Sequence, residues 1–351
     1  MKRQITALLL AGTLAIAAGL SACGSGAAST EGASGTEVTN SGAAEDNGEL
    51  TEIDVVLDWY PNAIHTFLYE AIDKGYFAEE GLSVNLISPA ESVDALTFVA
   101  TKRATIGLTY PMEVINAANT DISVRAIGAV TQSMLSCLTT LGDSGITADL
   151  SALKGKTIGY TGTAGDEAII RTIAKNAGLA EDDYTLMNVG FDLTTALTTG
   201  NAVMTAGMME NDEIVTMRNN GYDVVTYPYS DYGLPEMYDI VMVANDEAYQ
   251  ADPDFYASFL RACSRGFADM KASEEESLTI IMNEMNTDDN PLDEAQQRES
   301  YEILLPKMET EDAAFLSMTE ERWQEIIDWM SASGLLENEV TAEDVMTVPE
   351  L

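Results

Sequence analysis

From residue 53 onward, apolar and polar positions fall into short runs that switch repeatedly between a period of two and a period near 3.6. Residues 53–59, 82–87, 105–108 and 124–129 read as strands. The stretches 65–77, 92–101 and 112–118 between them read as helices; the first carries Leu68, Ala71, Ile72 and Tyr76 on one face and meets stop signals at Gly75 and Gly81. Residues 136–141 look like a strand that leaves this first unit. A second unit repeats the alternation, with strands over 157–160, 185–188, 203–207 and 224–227 and helices over 166–176, 193–198 and 212–219. Residues 238–243 have the character of a strand returning to the first unit. The rest, 246–343, is mostly helical, and over 254–270 Phe255, Phe259, Leu260, Cys263, Phe267 and Met270 share a face. Repeated strand–helix units imply mainly parallel sheets. The pattern therefore predicts an α/β protein of two lobes joined by two crossover segments, with a ligand cleft beyond the carboxyl ends of the strands.

The N-terminus breaks this pattern. Lys2 and Arg3 precede an uncharged apolar run from Ile5 to Leu20, which ends Leu20-Ser21-Ala22-Cys23. A charged head, a short apolar run and small residues before a cut site describe a secretory signal. The ending resembles a bacterial lipobox, which implies lipidation of Cys23 and anchoring on the extracytoplasmic face of the cell membrane. Gly24 to Glu49 is rich in Gly, Ser, Ala, Thr and Glu and has no aromatic residue. Such a tract cannot bury enough apolar surface to offset chain entropy, so a flexible tether is expected. The expected organisation is signal 1–22, lipidated cysteine and tether 23–50, one lobe from 51–138 plus 239–351, and the other from 139–238.

The formal net charge is −41, with the acids spread along the chain. That argues against nucleic acid as a partner and against a polybasic membrane face. Besides Cys23 there are only Cys137 and Cys263, each among apolar neighbours and read as small core side chains. One histidine and two such cysteines do not make a zinc site. Gly155-Lys156-Thr157 lacks the first glycine of a phosphate loop, and Asp288-Asp289-Asn290-Pro291 lacks the register of a calcium loop. No cofactor is expected.

Candidate chemistry concentrates in Leu57-Asp58-Trp59-Tyr60-Pro61-Asn62-Ala63-Ile64-His65-Thr66, between the first strand and the first helix. Trp59 and Tyr60 offer flat faces for stacking, Asn62 and Thr66 hydrogen bonds, and His65 is the only histidine of the chain. Thr161-Gly162-Thr163-Ala164-Gly165 precedes a helix and offers backbone N–H groups to a polar ligand end, or is simply a turn.

The run LDWYPNAIHTFLYEAIDKGYFAEEGLSV, from Leu57 to Val84, resembles the opening of the NMT1/Thi5-like solute-binding proteins. DLSALKGKTIGY, SDYGLPEMYD and FLRACSRGFADMKAS are similar to later segments of that family, in the same order. The resemblance implies a type II periplasmic-binding-protein fold and a small-molecule ligand delivered, by a monomer, to an ABC permease and its ATPase. It also implies a thiamine-precursor aminopyrimidine as ligand. The site residues it implies are Trp59, Tyr60, Asn62, His65, Tyr110, Glu113, the loop with Gly162, Thr163 and Glu167, and Glu213, with Glu210 as an alternative register for the last. Phe67 departs from the family's usual Gly, and Met208-Met209 stand where aromatics are frequent. One carboxylate can bond both the ring nitrogen and the exocyclic amine of an aminopyrimidine. The same residues would also suit riboflavin, and a sulfonate or nitrate is a third possibility, although the first lobe's loops show few basic residues. In the family's eukaryotic branch, which synthesises the pyrimidine, the histidine of this segment is consumed; the cysteine-rich segment of that branch has no counterpart here.

Overall fold

The computed structural model describes residues 50–350. The expected signal, Cys23 and almost all of the tether lie outside the described residues. No helix among the described residues is long and apolar enough to cross a membrane.

Ten strands form two mixed sheets. The first has the order β2–β1–β3–β10–β4, from β1 (Thr51–Val56), β2 (Leu82–Ile87), β3 (Ile106–Thr109), β4 (Val124–Ala129) and β10 (Val241–Asn245). The second has the order β7–β6–β8–β5–β9, from β5 (Ser136–Leu141), β6 (Lys156–Tyr160), β7 (Tyr184–Asn188), β8 (Met204–Met209) and β9 (Val224–Pro228). In each sheet one strand runs against its neighbours: β10 is antiparallel to β3 and β4, and β5 to β8 and β9. Topology explains both. Each of these strands comes directly from the other sheet, so it starts at the carboxyl ends of its new neighbours and must run back along them. These two exchanges are the crossovers expected from strand order. The division expected between residues 138 and 139 falls inside β5, which pairs with the second sheet from Ser136 onward.

β3 and β10 are buried along their whole length, as strands covered on both faces should be, whereas the edge strand β2 alternates. The expected helix 65–77 is three pieces: a 3₁₀ turn Ala63–His65, a helix Thr66–Asp73 and a short helix Tyr76–Glu79. The break falls at Gly75, whose φ of +75° ends the first helix. Cys137 and Cys263 are buried and free.

The crossovers are stitched to each other. The Asp239 carboxylate accepts from the N–H of Leu135 and of Ser136, both at 2.6 Å, and from the Ser136 hydroxyl at 3.1 Å. The Thr131 hydroxyl oxygen accepts in turn from the N–H of Asp239 and of Ile240.

A second link is the helix Glu294–Met308, which follows the first sheet's elements in the chain. Gln297 Oε1 accepts from the Ala63 N–H at 3.0 Å, fixing the first loop. On the other side Ser300 meets Asn211, and Lys307 pairs with Glu210 at 2.9 Å. Both partners belong to the second lobe.

The helix Thr66–Asp73 is held down by the helix Pro253–Ala272, whose Gly266 has no room for a side chain. A Cβ there would lie 2.1 Å from the Phe67 carbonyl oxygen. Gly266→Ala should therefore cost at least about 1–3 kcal/mol of overpacking, read as a lower urea midpoint at unchanged slope; an unchanged midpoint would show that the two helices can move apart freely.

Candidate functional site

The loop after β1 is built around its own polar groups. Asn62, in an extended conformation (φ −151°), caps the 3₁₀ turn: its Oδ1 accepts from the Ile64 N–H at 3.0 Å. Its backbone N–H donates to His65 Nδ1 at 3.2 Å. A backbone N–H can only donate, so Nδ1 carries no proton and Nε2 does. Nε2–H then donates to Asp58 Oδ1 at 3.0 Å. His65 is completely buried and Asp58 is 1 % exposed. The other Asp58 oxygen, Oδ2, is buried without a partner.

Asn62 also reaches across to the second lobe, its Nδ2 donating to Asp212 Oδ2 at 3.2 Å. Two more bonds join the lobes nearby. Ser92 donates to the Thr161 carbonyl at 2.9 Å, and the Gly165 N–H donates to Glu113 Oε1 at 2.6 Å. Between the lobes lies a cavity lined by Tyr110, Glu113, Ser136, Thr163, Asp166, Tyr229 and Asp239, with Met134 and Met237 from the crossovers. It encloses about 40 Å³, room for about one water, where small-molecule pockets usually offer about 300–1,000 Å³. The lobes are thus shut on each other, and an aromatic ligand would enter only after they part.

Of the residues expected from sequence, Tyr110, Glu113 and Thr163 line this cavity. Gly162 lies in an adjoining recess of about 220 Å³ at the mouth, between Ala90–Val93 and Asn188–Phe191. Trp59 and Tyr60 are at the mouth too, edge-on to Phe191 with ring centroids 4.2 and 5.3 Å away. His65 is behind the loop and orients it. Glu213 starts the helix Glu213–Asn219 and its Oε2 accepts from the Met209 N–H at 3.0 Å. Glu167 does not line the cavity; Arg171, one turn on, takes its carboxylate at 2.7 and 2.9 Å. Glu210 pairs with Lys307 at 2.9 Å, and neither Glu210 nor Glu213 lines the cavity.

Sequence reasoning missed Asp58, Asp166, Asp212, Asp239 and Tyr229. The first lies in the motif-dense loop and Asp239 ends the SDYGLPEMYD segment, so both had a positional signal. Asp166 is one residue from Glu167, and one residue turns a helix by about 100°, which exchanges the inner face for the outer.

With so many carboxylates together, ionisation is resisted. Burial, then the neighbouring Asp166 charge, raises Glu113 from 4.5 to about 7, against the lowering effect of the Gly165 N–H. Burial likewise raises Asp166 and Asp239. Asp212 and Glu213 are adjacent and both are raised, chiefly by burial, Asp212 further by Asp58 and Glu213 by Asp212. The Tyr110 phenol is pushed far up by burial and then by the charges of Asp58, Asp239, Asp166 and Glu213. One phenol that feels four carboxylates marks them as a single electrostatic unit.

A family model described as NMT1/THI5 like matches residues 62–277. A formylaminopyrimidine-binding protein of Halalkalibacterium halodurans is 34% identical over 304 residues, spanning 87% of this chain and 92% of the relative. A 4-amino-5-hydroxymethyl-2-methylpyrimidine phosphate synthase of Aspergillus parasiticus is 30% identical over 61% of this chain and 65% of its own length. Among solved structures, the alkanesulfonate-binding protein of Xanthomonas axonopodis pv. citri superposes with a TM-score of 0.68 at 12% identity, over 86% of this chain and 99% of the other. At that identity the likeness concerns the fold, which is a periplasmic-binding-protein fold.

The raised carboxyls give a sign for pH. A carboxyl that holds its proton more tightly when folded supports the closed fold below its ordinary value of 4.5 and loses that contribution as pH rises through its folded value. For Glu113 the window runs from 4.5 to about 7. Between pH 5 and 8 the ligand-free protein should lose Tm and gain radius of gyration. Glu113→Gln, which keeps an acceptor for the Gly165 N–H, should flatten both trends relative to wild type; parallel curves would show that Glu113 ionises freely.

Proposed function

The chain belongs to the NMT1/THI5-like family, and from that premise we propose that it is an extracytoplasmic solute-binding protein of an ABC importer, capturing a thiamine-precursor aminopyrimidine. The observation that carries this reading is the interlobe cavity, lined by three tyrosines and three carboxylates, with no Lys, Arg or His in the lining. An aminopyrimidine presents a flat face to aromatic rings and an edge with an amine donor to a carboxylate. A sulfonate or nitrate would bring a negative charge into a site of the same sign, with no basic side chain to receive it.

Binding fits better than synthesis. A consumed histidine must present a free ring nitrogen or carbon to the ligand, whereas His65 is fully buried with Nδ1 and Nε2 both engaged. The relative that matches over nearly its whole length is named a binding protein, and the one named a synthase matches over less of both chains. Uptake would then follow from lobe closure over the ligand and docking on the permease, with the ATPase driving transport.

Two experiments test this. In calorimetric titration with 4-amino-5-hydroxymethyl-2-methylpyrimidine, Trp59→Ala should cost about 1–3 kcal/mol if the ring stacks at the cleft mouth. Glu213→Gln should cost about 2 kcal/mol, and Glu210→Gln less. No binding by wild type, or no effect of the first two substitutions, overturns the proposed pocket. For the anchor, Cys23→Ala should move the protein from the membrane to the soluble fraction; unchanged membrane attachment would contradict lipidation at Cys23.

A further inference from the structure

We propose that the cleft selects a positively charged ligand, so that a pyrimidine bearing an ammonium-ended substituent binds in preference to the same ring with a neutral one. This rests on the solute-binding reading above for the location of the site. The charge preference comes from the groups that face the cleft.

Three carboxylates line the cavity, Glu113, Asp166 and Asp239, and three more, Asp58, Asp212 and Glu213, do not line it but act electrostatically on neighbouring groups. Asp58 follows β1; Glu113 is in the first turn of the helix Pro111–Asn119; Asp166 is in the first turn of the helix Ala164–Asn176. Asp212 and Glu213 open the helix Glu213–Asn219, and Asp239 is in the second crossover. Four of them bear on the Tyr110 phenol, and Asp58 also bears on Asp212. The facing Tyr110 and Tyr229 phenols and the Cys137 thiol are held neutral by burial, and therefore bring no charge of their own.

The nearby basic side chains lie outside the cavity lining. His65 donates its one ring N–H to Asp58. Lys307 binds the Met134 carbonyl and Glu210, both at 2.8–2.9 Å. Arg322 binds the Met237 carbonyl at 3.2 Å and lies over the Tyr238 ring. Each of these groups already has its partner, and none lines the cavity.

A closed cleft cannot hold its three lining carboxylates ionised without countercharge. Without ligand, protons supply it: burial raises Glu113, Asp166 and Asp239 alike. Even so, Asp58 Oδ2 is buried and meets no donor. A ligand cation can replace the protons; a neutral ligand must leave them in place. Among the described residues no three His, Cys, Asp or Glu side chains are grouped so as to hold a metal ion. Binding of such a cation should release protons, and its affinity should rise with pH as the carboxyls give theirs up.

The test uses the exported protein and two sets of probes. The first is 4-amino-2-methylpyrimidine carrying aminomethyl, hydroxymethyl or formylaminomethyl at position 5. The second is benzamidinium, which stays charged across the range, against neutral benzamide. Calorimetry at pH 6, 7 and 8, in buffers of different ionisation enthalpy, gives affinity and proton release together. The ammonium member should bind about tenfold or more tighter than its neutral analogues, with protons released to the buffer. Benzamidinium should gain affinity from pH 6 to 8, and Glu113→Gln should shrink the preference for charge. If pyrimidines bind with equal affinity whatever their charge, the inference is overturned while the aminopyrimidine reading stands. If no pyrimidine binds but benzamidinium is preferred to benzamide, the aminopyrimidine reading falls and the charge preference stands. If neither set binds, or benzamide binds as well as benzamidinium while no pyrimidine binds, the inference is overturned.

Discussion

One carboxylate holds the two lobes in register. Asp239, 3 % exposed, sits in the second crossover and gathers two N–H groups and a hydroxyl from the first. The crossovers therefore behave as one strip of chain with two strands. Everything at the cleft is placed relative to that strip: β5 and β10 leave from its ends, and Met134, Ser136, Met237 and Asp239 itself form one wall of the cavity. A charge-accepting bond of this kind is strong, and a buried acceptor left without its donors is costly. The same side chain is thus both a structural clamp and part of the cleft's electrostatics.

That double use sets the character of the site. Carboxylates placed together without cations raise each other's affinity for protons and weaken the closed state when they ionise. A core built only for stability would pair them or replace them with apolar groups. Here the available cations are spent at the rear, on Glu210 and on carbonyl oxygens of the crossovers, and leave the front acidic. At the cleft, the closed, ligand-free form is held by a few hydrogen bonds between lobes, such as Ser92 to Thr161, with the Lys307–Glu210 ion pair outside the cavity lining. Bonds of that strength suit a cleft that must open again.

Much of this architecture was legible in the sequence. The strands at Leu82–Ile87, Val124–Ala129 and Ser136–Leu141 coincide with their predicted bounds, because apolar spacing and flanking turn residues agree there. The reversal of β5 and β10 follows from their order in the chain. Where the reading fell short, the cause is side-chain direction or distance. Glu167 and Asp166 are neighbours in sequence, yet one turns to Arg171 and the other to the cavity. The helix Glu294–Met308 has mixed polarity, and its work is done by Gln297, Ser300 and Lys307 on partners 89 to 234 residues away. No local pattern marks such residues. His65 drew attention as the sole histidine, but its task is to hold Asn62 and Asp58 in place.

The position of β10 has a consequence for how the chain assembles. It fills the slot between β3 and β4, although Val241 follows Ala129 by more than a hundred residues along the chain. Until that segment is available, the first sheet has two facing edges with unpaired backbone groups. Loop closure over such a span is entropically slow to achieve. The first lobe, begun earliest, is therefore finished only after the second has been synthesised, and a chain cut before Val241 exposes a gap that other strands can enter.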